Sequence, residues 1–349
     1  MEMTRPSKFF LDTYQTTLRG NLLDYGSRNG ELALTLECPF VDHRISNAAT
    51  GVKATYISRG QELPQTFHAI FLTAQFSTAL NLQLVRELLS VLVTGLKLYV
   101  LLDRGYTITP FDELMIPYTV DESPGGEKIL TFTRWDGPID ADEKPARYSV
   151  EAGGKTLALQ AGAGVFSSDA LDAGTKALLD VVQWHSGRVL DLGCGNGVVG
   201  LTAHAKGATE VTMLDSDLRA LRWARENAER NHSKVHIVAS DGLRELDGSQ
   251  QFDLILSNPP YNSDYSVAKG FIEDGYKALA MGGAIWLVVK NSDWYRNKMK
   301  TVFGGSKVIE QDGYAIITAE KREVLRKPVK EIKTTRKHEK RMALSKKYK

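Results

Sequence analysis

The sequence predicts an α/β protein made of two tandem, doubly wound, mostly parallel sheets, the second closed by a C-terminal antiparallel hairpin. Three observations predict it. From about residue 156 onward, strand and helix signals alternate. The stretch VLDLGCGNGVVGL at 189–201 has a partner upstream, LLDYGSRNGELAL at 22–34, in which Asp24, Gly26, Asn29 and Gly30 fall on Asp191, Gly193, Asn196 and Gly197. Finally, 349 residues exceed what one core usually fills.

The second half reads element by element. A helix is expected over 167–183, with Ser168 or Asp169 at its N-cap. The strand GRVLDLG, a glycine-rich turn and a helix through GLTAHAKG follow. Next come the strand EVTMLD (210–215), the strongly helical LRALRWARENAERN, the strand KVHIVASD and the strand FDLILSNPPY (252–261). A further helix, a stop at Gly282-Gly283, the strand AIWLVVK and a hairpin around Gln311-Asp312-Gly313 complete the set.

The first half repeats this plan in shortened form. FHAIFLTAQF (67–76) stands where FDLILSNPPY stands downstream, and a helix near 79–94, Gly95 and the strand LKLYVLLDRG mirror 268–290. The distance from motif Asp to strand Phe is 43 residues in the first half and 61 in the second, so the first has lost material. TRWDGPIDADEKPARYSVEAGGKT (133–156), rich in Gly, Pro and charge, is the expected linker region, with room for a hairpin. The expected division is therefore a first domain over 1–150, a second over 156–321 and a basic tail over 322–349.

Composition is that of a soluble globular protein, 42% hydrophobic and 25% charged. The apolar run at 88–103 contains Gly95 and Lys97 and is short for a membrane span, so a helix end, a turn and a buried strand explain it better. The N-terminal stretch lacks the long apolar core of a secretion signal, and a reducing cytoplasm is the expected location. Two cysteines and seven histidines without ligand spacing predict neither a disulfide framework nor a metal site. A monomer is expected. The net charge of +2 hides an asymmetry: residues 321–349 carry thirteen Lys/Arg against three Glu, which leaves the preceding residues at −8. Such a tail suits an arm that finds polyanions, or is simply solvated.

The chemistry concentrates in the second half. GNGVVG (195–200) fits G-x-G-x-x-G, with Asp215 twenty residues past Gly195, so a nicotinamide enzyme has to be weighed. Asp191, at the strand end before the loop, opposes that reading because a carboxylate repels a pyrophosphate. It suits instead a ligand bearing an amino group and a sulfonium, which describes S-adenosylmethionine (SAM). Gly193, Gly195 and Gly197 let the backbone pass close to such a ligand. Asp215 can accept both ribose hydroxyls, and Asp241 with Gly242, at the next strand end, can receive the adenine amine.

SNPPY (257–261) is the decisive stretch. Consecutive prolines stiffen the backbone and remove two N–H donors. The Asn258 side-chain oxygen and the Pro259 carbonyl can then hold an sp² amine by its hydrogens, with its lone pair toward an incoming methyl. Tyr261 offers a face on which a planar base can stack.

Together, DLGCGNG and NPPY resemble the class I SAM-dependent methyltransferases that act on amino groups. AGVFSSDALDAGTKALLDVV (164–182) and KNSDWYRNKMKTVFGGSKVIEQDGYAIITAEK (290–321) resemble, more narrowly, the bacterial 16S/23S rRNA guanine-N2 methyltransferases. The resemblance covers about 160 residues. It implies two Rossmann-like methyltransferase domains of which the N-terminal one is a degenerate copy, SAM as cofactor and ribosomal RNA as partner. It further implies that Gly193, Gly195, Asp215 and Asp241 bind SAM, that Asn258, Pro259 and Tyr261 hold guanine, and that Phe166 lies near cofactor and target base. The family usually has Phe where Tyr261 stands and often His where Asn262 stands. Asn-Pro-Pro-Tyr also occurs in adenine-N6 and glutamine-N5 methyltransferases, which remain alternatives, as does a non-catalytic RNA-binding assembly factor.

In the first half, Arg28 replaces the glycine matched by Gly195, and Thr73-Ala74-Gln75-Phe76 stands in place of Asn258-Pro259-Pro260-Tyr261. That half is expected neither to methylate nor to bind SAM, but to hold RNA or support its twin.

Overall fold

The computed structural model describes residues 3–47, 52–64, 67–260 and 265–323. Tyr261, Asn262 and all but the first two residues of the 322–349 tail lie outside them.

The first half begins with α1 (Arg5–Tyr14) and continues with β1 (Leu22–Tyr25), α2 (Glu31–Leu36), β2 (Phe40–Asp42), β3 (Ala54–Tyr56), β4 (Ala69–Thr73), α3 (Thr78–Val91), β5 (Lys97–Leu102), β6 (Tyr118–Glu122) and β7 (Lys128–Thr133). A separate hairpin follows, β8 (Ala146–Ala152) and β9 (Lys155–Ala161). The second half contains α4 (Ala173–Val181), β10 (Arg188–Leu192), α5 (Val198–Ala205), β11 (Glu210–Asp215), α6 (Leu218–Arg230), β12 (His236–Ala239) and β13 (Phe252–Ser257). It closes with α7 (Ser266–Ala278), β14 (Leu279–Val289), α8 (Asp293–Phe303), β15 (Lys307–Gln311) and β16 (Tyr314–Glu320).

Two seven-stranded sheets result, ordered β3-β2-β1-β4-β5-β7-β6 and β12-β11-β10-β13-β14-β16-β15. Counted within each half, the order is the same, with five parallel strands and an antiparallel pair at one edge. The duplication read from motif order thus extends through a whole topology. Both sheets are covered on both faces, as parallel strands require. In β14, Trp286 and Val288 pack on one face while Ile285, Leu287 and Val289 pack on the other. The apolar run at 88–103 resolves into the end of α3, a turn at Gly95 and the buried strand β5.

Two local expectations need correction. The helix expected over 167–183 starts at Ala173, capped by Asp172 and not by Ser168 or Asp169. The Asp172 carboxylate accepts the Thr175 N–H, and Ser167, at φ 54°, turns the chain before it. Gly282 and Gly283 do not separate helix from strand, because β14 already begins at Leu279. They sit where the register against β13 shifts, and a Cβ on Gly283 would lie 2.9 Å from the Phe252 carbonyl oxygen.

The hairpin lies against the second half. Its Gly153 turn rests on the end of α5, where a Cβ would come within 2.0 Å of the Ala205 carbonyl oxygen. The edge of β9 is taken by two asparagines one turn apart, Asn227 in the last turn of α6 and Asn231 capping its end. Asn227 pairs with both backbone groups of Gln160 (2.9 and 2.8 Å), and Asn231 does the same with Ala158 (2.8 and 2.8 Å). The alternating spacing of the strand is thereby matched to the i, i+4 spacing of a helix face.

Candidate active site

The sequence-selected residues of the second half gather along one edge of its sheet. Asp191, Asp215 and Asn258 lie at or just past the C-terminal ends of β10, β11 and β13, with Asp241 two residues beyond the end of neighbouring β12. In open α/β sheets that edge is where ligands bind.

The glycine loop is built by its neighbours. The N–H groups of Gly193 and Cys194 both donate to the Leu214 carbonyl (2.9 and 2.8 Å), which ties the turn to the end of β11. Gly195, at φ 55°, has open space where a Cβ would stand, so none of the described residues crowds this part of the loop. Gly197 and Gly200 also serve packing: a Cβ on Gly200 would sit 2.5 Å from the Met213 sulfur, so glycine lets α5 approach β11 closely. Asn196 is buried, donates to the Tyr148 hydroxyl on β8 (2.7 Å) and offers its carbonyl to Asn227 (3.0 Å).

Three carboxylates accompany the loop. Asp191 is buried and accepts the Gly200 N–H at 2.8 Å. Burial first, and then the charge of Asp215, push its carboxyl up to about 7. Asp215 is raised by burial as well, and accepts the N–H groups of Gly195 and Asp217, each at 2.9 Å. Two accepted bonds leave acceptor capacity on its oxygens. Asp241 is partly exposed and ion-paired with Arg244, an exposed neighbour on the same turn, while Gly242 beside it adopts φ 65°.

Asn258 is held in one orientation. Its Nδ2 donates to Asp172 Oδ2 (3.0 Å) and to the Thr175 hydroxyl (2.9 Å). A carboxylate can only accept, so the amide's nitrogen side is assigned by Asp172 and its oxygen turns to the opposite edge. Asp172 and Thr175 are functional candidates that the sequence reading passed over. Their D-x-x-T spacing at the start of an apolar helix was the signal for them. Ser257, immediately before, fastens the strand end by donating to the Leu192 carbonyl (2.6 Å). Pro259 is buried. Phe166 is 54% exposed in the loop before α4, and Tyr261 lies outside the described residues.

Strand register aligns the first half with this site. Asp24 pairs with Phe40 and Phe71, as Asp191 pairs with Met213 and Leu256, so Asp42 corresponds to Asp215 and Thr73 to Asn258. Asp24 keeps the bond of its twin, accepting the Ala33 N–H at 2.8 Å, and burial lifts it likewise to about 7. Asp42, however, is occupied by its own chain: Arg44 grips both oxygens (3.2 and 3.1 Å), and Asn47 donates to it as well. Gln75 reaches across so that its Nε2 lies 2.9 Å from where a Gly26 Cβ would be. The two second-strand loops also pair with each other. The Ile45 N–H donates to the Ser216 carbonyl (2.9 Å) and the Leu218 N–H to the His43 carbonyl (2.8 Å).

Among the described residues there is no cluster of His, Cys, Asp and Glu fit to hold a metal ion, and no helix long and apolar enough to cross a membrane.

Residues 156–318 match the family described as "Methyltransferase small domain". The chain is 32% identical over 215 residues to a "Ribosomal RNA small subunit methyltransferase C" of Marinomonas sp. (strain MWYL1), covering 56% of this chain and 60% of that protein. It is 34% identical over 201 residues to a "Ribosomal RNA large subunit methyltransferase G" of Aeromonas hydrophila, covering 54% of this chain and 52% of that protein. The chain thus spans little more than half the length of these relatives. Among solved structures, a Thermus thermophilus 16S rRNA N2 G1207 methyltransferase in complex with AdoMet and guanosine superposes with a TM-score of 0.78 at 21% identity, over 89% of this chain and 91% of that one. At that identity the likeness concerns the fold, and it extends through both sheets.

Proposed function

Because residues 156–318 match the methyltransferase small domain family, we propose that the chain transfers a methyl group from SAM to the exocyclic N2 amine of a guanine in ribosomal RNA. The observation that carries the proposal is the orientation of Asn258 by Asp172 and Thr175. It puts the amide oxygen on the edge opposite Asp172, and in this reading that oxygen holds the amine by one of its hydrogens.

The residues fit SAM. Gly195 leaves open space at the loop, the Asp191 carboxylate suits an amino group, and Asp215 retains acceptor capacity for ribose hydroxyls. Asp241 can take the adenine amine if Arg244 swings aside. When bound, SAM supplies a methyl already made electrophilic by its sulfonium. The protein then has to position the acceptor more than activate it, and no strong general base is required. Asn258 and the Pro259 carbonyl receive the two amine hydrogens, the nitrogen lone pair faces the methyl, and the proton leaves to solvent. Tyr261 provides a stacking face for the base.

The first half, with Asp42 occupied and Gln75 across its loop, serves to hold RNA and to brace the second. The basic tail adds phosphate contacts, so deleting 322–349 should weaken RNA binding and flatten its salt dependence.

The test is incubation with labelled SAM and rRNA from cells lacking the protein, followed by digestion. Label in N2-methylguanosine is the expected result, whereas label only in N6-methyladenosine or in protein overturns it. Asn258→Ala should nearly abolish turnover while SAM binding persists.

A further inference from the structure

At the place in the first half that corresponds to the second half's cofactor cleft, a cavity of about 370 Å³ remains. That is large enough for one nucleotide-sized ligand. It lies between the loop after β1, the segment after β2 and the end of β4, and its lining includes Arg28, Arg44, Gln75, Phe76 and Asp103.

Its chemistry differs from its twin's. Asp24 is buried like Asp191 and keeps the same backbone bond, with the Ser27 hydroxyl added, whereas Asp42, unlike the half-buried Asp215, is fully buried and neutralised by Arg44. Asp42 is therefore not presented to a ribose. Arg28, an exposed residue of the glycine loop, joins the lining where Gly195 stands in the second half. Phe76, the counterpart of Tyr261, is 98% exposed at the rim, the most exposed of the large apolar side chains described. A ring left almost wholly in water at the rim of a largely apolar cavity has the form of a stacking platform. Asp103, which accepts the Arg104 N–H at 2.8 Å, adds an acceptor of the kind a base's exocyclic amine needs.

We propose that this vestigial cleft is a second, non-reacting nucleotide site, in which an unpaired nucleotide of the RNA stacks its base on Phe76 and sets its phosphate against Arg28. The inference rests on the reading of the chain as an RNA methyltransferase. It converts a lost active site into a specificity element: two unpaired nucleotides, one in each half, would have to be presented together. A cationic ligand such as SAM is disfavoured there by Arg28 and Arg44.

The experiment uses the full chain and a fluorescein-labelled single-stranded oligoribonucleotide, with affinity read by anisotropy at several salt concentrations and SAM binding read by calorimetry. Phe76→Ala is expected to weaken oligonucleotide binding about 10-fold. Arg28→Glu is expected to weaken it and lower the salt slope. Neither should change SAM affinity, and SAM should bind once per chain. Unchanged oligonucleotide affinity in both variants overturns the proposal, as does a second SAM bound in the first half. Failure of the parent reading shows separately, as a wild-type chain that binds SAM and methylates no rRNA. Both variants alter exposed side chains, so loss of folding does not obscure the outcome.

Discussion

Arg219, in the first turn of α6, donates two hydrogen bonds to Glu87 of α3, at 3.0 and 3.1 Å, and both side chains are about 1% exposed. This pair joins residues 132 positions apart and fastens the helix that follows Asp215 to the first half of the chain. Glu143 stands 3.3 Å from the same guanidinium and is also paired with Arg222. Burial opposes the charge on each partner. The Glu87 carboxylate nevertheless holds Arg219 protonated, and Arg219 holds Glu87 below the usual carboxylate range.

Breaking that pair from one side should be costly. Glu87→Ala leaves a buried guanidinium with only Glu143 for compensation, and a loss of about 3–5 kcal/mol is expected. The double variant Glu87→Leu/Arg219→Leu should lose less than its single changes combined, because no charge is then stranded. Urea unfolding of the four proteins measures the cycle, and additive losses would show that the two groups do not depend on each other.

Asp172 should matter through position and not through charge. Its Oδ2 accepts from Thr175 N (2.8 Å), the Thr175 hydroxyl (3.2 Å) and Asn258 Nδ2 (3.0 Å). An amide oxygen in the same place can accept all three. Asp172→Asn should therefore keep most activity, whereas Asp172→Ala should lower kcat on the order of 10²-fold and cost about 1 kcal/mol of stability through the lost cap. Steady-state kinetics with rRNA read the difference, and equal activity of the Ala variant and wild type would detach Asp172 from the site.

The core of this fold was legible because buried parallel strands are short, mostly apolar runs, and EVTMLD, VLDL and FDLILS are of that kind. The cap of α4 was not, since Ser168, Asp169 and Asp172 are all cap-forming types within five positions, and the folded chain picks out Asp172 by its bond to the Thr175 N–H. Asn227 and Asn231 read as an ordinary polar helix face. Their role depends on a strand edge that arrives from a separate hairpin. The Arg219–Glu87 pair was illegible for the same reason: Arg219 sits in a helix with five other charges and Glu87 beside Arg86, and local pattern does not reveal long-range partners.

Asp191 should give SAM binding a pH dependence. Burial lifts its carboxyl to about 7 in the folded chain, so the folded state holds this proton more tightly than the unfolded state. Its contribution to stability is greatest below about pH 4 and is lost as the pH rises toward 7. A cationic ligand prefers the ionised form, so SAM affinity should increase as the pH rises through about 7 and then level off. Asp191→Asn should bind SAM weakly and remove that part of the pH dependence. Asp24, raised to the same value in the first half, should keep part of the stability decline in place. Calorimetric titration between pH 5.5 and 8.5, a range set around that value of about 7, measures the effect. Wild-type affinity that did not vary with pH would mean that Asp191 does not face the amino group.

The contrast between Arg28 and Gly195 can be tested by exchange. Gly195→Arg places a cation in the open part of the loop and should eliminate SAM binding. Its φ of 55° costs a side chain about 1–2 kcal/mol, so the chain should still fold. The reverse change, Arg28→Gly, should not create a second SAM site. Asp42 would still be gripped by Arg44 and Asn47, and Gln75 would still lie across the loop at Gly26. Equilibrium binding should give one SAM per chain in wild type and in Arg28→Gly, and none in Gly195→Arg. Two sites in Arg28→Gly would mean that a single arginine had closed the first half, and that the Asp42–Arg44 pair opens readily to a ribose.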